Sequence, residues 1–100
     1  MHDQYHVDIA SNARRDLRNI YNFIAKNSPQ NASKMMTRLL DSMESLKQFP
    51  HRYDVPRTGY SRGRSVRAMP EPPYMIRYRI NEAKKTVFVM RVRHGARRIP

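Results

Sequence analysis

The strongest constraint on the fold is a change of hydrophobic period along the chain: two, then three to four, then two again. Gln4 to Ala10 alternates, with Tyr5, Val7 and Ile9 on one face and His6 and Asp8 on the other, which predicts a half-buried strand. Ala13, Leu17, Ile20, Tyr21 and Ile24 then recur at spacings of three and four, with Arg14, Arg15, Arg18 and Asn22 outside. That is one apolar stripe on a surface helix. Ser11 and Asn12 offer side chains to cap its first turn. A second helix follows the break at Asn27-Ser28-Pro29, with Ser28 as N-cap and Pro29 as first helical residue. Its stripe is Ala32, Met35, Met36, Leu39, Leu40, Met43 and Leu46, and Pro50 is expected to end it. So short a break makes the two helices an antiparallel hairpin.

His51 to Gly63 has no period and reads as a loop. Three strands are then expected, Arg64 to Met69, Tyr74 to Ile80 and Thr86 to His94. In the middle one Tyr74, Ile76, Tyr78 and Ile80 alternate with Met75, Arg77 and Arg79. Pro70, Pro72 and Pro73 are assigned to the first connection, because proline cannot donate to a ladder, and Asn81 to Lys85 to a hairpin loop. The expected architecture is one α+β domain over residues 1–100: a strand, a two-helix hairpin and a three-stranded meander forming a twisted antiparallel sheet. Charge on a stripe position should unfold it, so Leu17→Asp and Leu40→Asp are expected to be destructive.

Charge is divided unevenly along this frame. The chain carries +12, with 20 Lys and Arg against 8 Asp and Glu. Residues 1–50 hold seven basic and five acidic side chains, whereas residues 51–100 hold thirteen basic and three acidic, eleven of the thirteen being arginine. Arginine's planar fork suits phosphate and carboxylate, so a polyanionic partner is implied. No cysteine is present to form a disulfide or thiolate metal site. No apolar run is long enough for a bilayer and no signal-peptide pattern opens the chain, so no membrane partner and a cytoplasmic location are expected. Glycine-rich phosphate loops, metal-ligand spacings and carboxylates placed for acid–base work are also missing, so neither metal nor cofactor is expected.

The segments Ala13-x-x-Asp16-Leu17-x-x-Ile20-Tyr21-x-Phe23-Ile24, Leu46-x-x-Phe49-Pro50, Tyr74-x-Ile76-x-Tyr78 and Val89-x-x-Val92-x-His94-Gly95-Ala96-Arg97 together resemble the ParE/RelE superfamily of bacterial toxins. The closing His-Gly-Ala-Arg is nearest the ParE branch. The resemblance covers nearly the whole chain and implies the same fold. It also implies a cognate antitoxin from the same operon in a toxin–antitoxin hetero-oligomer.

Two activities follow from the two branches. RelE-like members cut messenger RNA on the ribosome with basic residues and a late tyrosine or histidine. If this chain does so, Arg67, His94 and Arg97 are the catalytic candidates. One arginine of that set directly follows the first tyrosine of the Tyr-x-Ile-x-Tyr strand, and here Met75 stands in its place. The late tyrosine has no match before Pro100. ParE-like members act on DNA gyrase without chemistry of their own, which requires only a surface. The sequence offers that surface, for target or antitoxin, in Arg64, Arg67, Arg77, Arg79, Arg91, Arg93, His94, Arg97 and Arg98. Arg77 and Arg79 share a face opposite the Tyr and Ile core positions of their strand, which puts them on the open side of the sheet. A non-toxic partner-binding domain of this fold is the third reading.

Overall fold

The computed structural model of the chain describes residues 4–53 and 66–95. Along them run β1 (His6–Ile9), α1 (Ser11–Ala25), α2 (Pro29–Ser45), a 3-10 turn (Pro50–Arg52), β2 (Arg67–Glu71), β3 (Tyr74–Asn81) and β4 (Thr86–His94). The strands form one sheet in the order β1-β4-β3-β2. The meander β2-β3-β4 is antiparallel as expected, while β1 joins β4 in parallel, with His6 opposite Thr86 and Ile9 opposite Val89. A parallel pair needs a long crossover, and the helical hairpin and meander between these strands supply it.

The first helix starts differently from expectation. Ser11 is already helical, and Ala10 holds the cap position with no side-chain cap. Its backbone is held from outside instead: Ala10 N–H donates to Val89 O at 2.9 Å, and Arg14 Nε donates to Ile9 O at 3.0 Å. A tertiary hydrogen bond to β4 thus sets the position where α1 begins. The second helix follows the local rule, with Ser28 Oγ accepting from Asn31 N–H at 3.1 Å and Pro29 in the first turn.

The second helix ends at Ser45, well before Pro50. Leu46 to Gln48 tighten into three-residue turns, and Phe49 adopts a left-handed conformation at φ 52°. The Arg52 guanidinium folds back onto this end, donating to Gln48 O at 2.7 Å, to Phe49 O at 3.2 Å and to Ser45 Oγ at 2.7 Å. It satisfies carbonyls that a helix end leaves unpaired.

The proline assignment is also corrected. Pro70 lies inside β2, opposite Met75, and only Pro72 and Pro73 form the turn. β2 is an edge strand, where a missing N–H leaves no neighbour unpaired. The expected first residues of this strand, Arg64 and Ser65, lie outside the described residues.

The helices cover one face of the sheet, α1 over β4 and α2 over β2. Leu39, Met43, Leu46, Met69, Ile76, Tyr78, Val87, Val89 and Val92 are each at most 2% exposed and form the core between the layers. A β-bulge shifts the register: Tyr78 pairs with Val89 but Arg77 pairs with Arg91, leaving Met90 unmatched. The extra residue lets Val87, Val89 and Val92 all reach the core despite their uneven spacing. Leu40, placed on the apolar stripe from its spacing, is 45% exposed at the margin of α2, so a charge there meets water.

Candidate partner-binding surface

Side chains paired across antiparallel strands share a face, so the register sorts the arginines. Tyr74, Ile76 and Tyr78 of β3 are buried under the helices, which leaves Met75, Arg77 and Arg79 on the open side. Opposite them on β4 stand Arg93, Arg91 and Phe88 respectively. The Arg79 guanidinium lies 4.8 Å from the centre of the Phe88 ring, a cation–π contact that keeps its hydrogen-bond donors available. Among the described residues, the side chains of Arg77 and Arg93 make no hydrogen bond. Along β3 and β4 the open face is therefore a basic strip interleaved with Met75 and Phe88.

Three of the residues grouped with this strip lie elsewhere. Arg67 pairs with Tyr78, a core position, and so belongs to the helix side. Its guanidinium donates to Tyr53 O at 2.6 Å and His51 O at 3.3 Å, holding the 3-10 turn. Tyr78 OH holds the same turn from below, donating to Pro50 O at 2.5 Å, and burial raises its pKa to about 12. His94 pairs with Tyr74, also on the helix side, where the two rings meet edge to face at 5.5 Å. Arg91 begins on the open face but turns round the edge of β4 to α1, where Asp16 receives it. Arg64, Arg97 and Arg98 lie outside the described residues.

Asp16 is the site residue that pattern reading missed. It accepts from Arg91 Nε at 2.8 Å, Arg91 Nη2 at 3.1 Å and Val92 N–H at 2.9 Å. β1 pairs only as far as Val89, so β4 continues past it with an uncovered edge, and Asp16 caps that edge. Burial pushes the Asp16 pKa up, but the bonds from Arg91 and Val92 and the positive charges of Arg91 and Arg93 outweigh it. The net result is a carboxyl below its ordinary value. The signal in the sequence was slight: α1 carries one acid, Asp16, among the basic residues Arg14, Arg15 and Arg18.

Other acids are drawn into similar work. Glu71 takes both Nε and Nη2 of Arg38, at 3.1 and 2.8 Å, together with the Ser42 hydroxyl, and so fastens α2 to β2. The Ser42 bond, opposed by burial and aided by Arg38, lowers its pKa. Glu82, in the β3–β4 turn, accepts from Tyr5 OH at 2.9 Å and faces His51 and Lys85. The bond from Tyr5 leads in lowering its pKa; burial opposes it and His51 and Lys85 add to it. Two histidines each meet a single carboxylate, His51 at Glu82 and His6 at Asp8, the latter at 2.8 Å. Among the described residues, carboxylates pair with Arg38, Lys47, Lys85 and Arg91, and none of these ion pairs takes Arg77, Arg79 or Arg93.

Beside Asp16, between α1 and the uncovered edge of β4, is a cleft of about 310 Å³. Ile20, Phe23, Tyr74 and Val92 form its apolar walls, and Arg93 and His94 its basic side. Among the described residues no three His, Asp or Glu side chains are grouped to hold a metal ion, and no helix is long and apolar enough to cross a membrane.

The family described as the ParE toxin of the type II toxin–antitoxin system parDE matches residues 7–99. Among solved structures, the chromosomal ParDE toxin–antitoxin system from Pseudomonas aeruginosa is similar with a TM-score of 0.74 at 19% identity, over 92% of this chain and 97% of that one. The RelBE2 toxin–antitoxin complex from Mycobacterium tuberculosis gives 0.62 at 23% identity, over 91% and 98%. The archaeal RelE–RelB complex from Pyrococcus horikoshii OT3 gives 0.66 at 15%, over 95% and 99%. At these identities the likeness establishes the fold. No curated protein matches the chain.

Proposed function

This chain belongs to the ParE toxin family of type II toxin–antitoxin systems, and from that premise we propose that it inhibits growth by binding DNA gyrase, with no bond-making step of its own. An antitoxin encoded beside it neutralises it in a hetero-oligomer. The proposal includes one domain over residues 1–100 and action in the cytoplasm, where gyrase works.

The observation that carries this reading is the composition of the open strip. Arg77, Arg79 and Arg93 present guanidinium groups from adjacent strands, flanked by Phe88 and Met75. Cations beside apolar side chains suit a surface that grips an anionic complex. Met75 neither holds phosphate nor moves a proton. Of the residues proposed for RNA cleavage, Arg67 is engaged by the Tyr53 and His51 carbonyls and His94 sits against Tyr74, both away from the strip. This arrangement favours binding over cutting.

A supercoiling assay with purified gyrase tests the proposal. The wild-type chain should block supercoiling and accumulate cleaved DNA, and replacing Arg77, Arg79 and Arg93 together by Ala should relieve the block with little change in thermal stability. Full supercoiling at a large excess of the wild-type chain refutes gyrase as target. New mRNA 5′ ends on translating ribosomes would establish the RNase reading in its place, and normal growth on induction the non-toxic one.

A further inference from the structure

The cleft between α1 and the uncovered edge of β4 meets the open strip at Arg93 and otherwise has its own chemistry. Phe23 stands at its mouth with 69% of its surface in water, the largest exposure among the exposed large apolar side chains of the described residues. Behind it, Ile20, Tyr74 and Val92 are at most 9% exposed and make a preformed apolar floor. The volume of about 310 Å³ lies at the lower limit of ligand pockets, enough for one or two side chains and small for an extended ligand. One acid lines the cleft, and it is already engaged: Asp16 spends its carboxylate on Arg91 and Val92 N–H. Arg93 therefore leaves the rim positive.

From this combination we infer that the cleft seats a large apolar side chain of an acidic antitoxin segment, with Phe23 closing over it and Arg93 pairing a carboxylate beside it. The inference rests on the toxin–antitoxin reading and deepens it by naming where and by what chemistry the antitoxin engages. A second copy of this chain is a poor occupant, because each copy carries +12 and would bring its own basic surface to the same rim. A nucleic acid would meet Arg93 and could stack on Phe23, but the floor of Ile20 and Val92 is aliphatic and, of the described lining, Asn19 alone is an amide able to match a base edge. A side chain fills that floor and an adjacent carboxylate answers the arginine, as in interfaces where one buried apolar anchor carries much of the affinity. The segment would lie along β4 past the end of β1, on an edge already guarded by Asp16.

Titration calorimetry of the purified chain with the product of the adjoining open reading frame tests this. Phe23→Ser should weaken binding about 30-fold or more, the loss typical of removing a central aromatic anchor. Phe23→Leu should recover most of it, since an apolar closure is what the cleft needs. Arg93→Glu should weaken binding about tenfold and flatten its salt dependence. Phe23 is exposed, so the two Phe23 variants should melt like the wild type, whereas Arg93→Glu also puts a negative charge near Asp16 and is read against its own melting curve. Affinity of Phe23→Ser within about threefold of the wild type overturns the inference while leaving the toxin–antitoxin reading intact. Failure of the wild-type chain to bind the neighbouring product overturns both. If Phe23→Ser keeps its affinity for that protein but loses affinity for a labelled oligothymidylate, the occupant is a nucleic acid and the inference is likewise overturned.

Discussion

Removing the Asp16 carboxylate should loosen the molecule where α1 meets β4, and the size of the effect follows from the geometry. The carboxylate serves two donors of different character. Arg91 keeps 40% of its side chain in water, so solvent replaces much of what the ion pair provides, and that part is worth at most about 1 kcal/mol. Val92 is 2% exposed, and its N–H points at the edge that β1 leaves uncovered. Without an acceptor it costs about 1 to 2 kcal/mol. Asp16→Ala should therefore destabilise by about 2 kcal/mol, a fall of roughly 8–16 °C in Tm for a domain of this size. Asp16→Asn keeps an oxygen for Val92 N–H and loses only the charge, so it should cost about half as much. The pH dependence gives a second check. The folded pKa of Asp16 lies below its ordinary 3.8, so its contribution is fully present above that value and is lost as pH falls through the folded pKa. The gap between wild type and Asp16→Asn should be constant near neutrality and close in acid, below about pH 4. Circular dichroism melts of the three proteins across pH measure all of this. Equal Tm for wild type and Asp16→Ala at pH 7, or a gap that persists unchanged into strong acid, would refute the role assigned to the carboxylate.

Three further outcomes follow from particular contacts. Leu39→Asp, at a fully buried position, should abolish folding, whereas Leu40→Asp, at 45% exposure on the same helix, should stay folded with a Tm within a few degrees of the wild type; chemical denaturation distinguishes them. Ser28→Ala should cost about 1 kcal/mol through the lost cap on Asn31 N–H, while Ser11→Ala should cost almost nothing, and equal losses in urea melts would show that the cap assignment is mistaken. Tyr78→Phe removes the buried bond to Pro50 O and should destabilise by about 1 kcal/mol or more, with faster hydrogen exchange in the turn at Pro50–Arg52; unchanged exchange there would separate the hydroxyl from the turn.

How much of this was legible in the sequence varied with the range of the interaction. The helical stripes, the Ser28-Pro29 start and the alternation along β3 arise between near neighbours, so they could be read directly and match the structure. The stripe misled at its margin: spacing put Leu40 among the core residues, but the width of the sheet beneath α2 decides how far burial extends. Helix starts were legible only where the cap was local. Ser28 caps from within its own turn, while α1 is placed by a bond from Ala10 to Val89, far along the chain. The arginines were the hardest to sort, because composition shows that they are dense but not which have partners.

The sequence by itself therefore determined the element types, their order, the helix-covered face of β3 and the excess of positive charge in the second half. Each of these depends on residue identity and spacing alone. Tertiary structure decided that β1 runs parallel to β4, that a bulge at Met90 resets the face of β4, and that Asp16 draws Arg91 off the open face while Arg67 holds the turn after α2. A register shift of one residue exchanges the faces of a strand, and the acid that binds an arginine here lies as many as 75 residues away. Only the folded chain could separate Arg67 and Arg91, which brace the structure, from Arg93, which stays on the open face beside the Arg77 and Arg79 that alternation already places there.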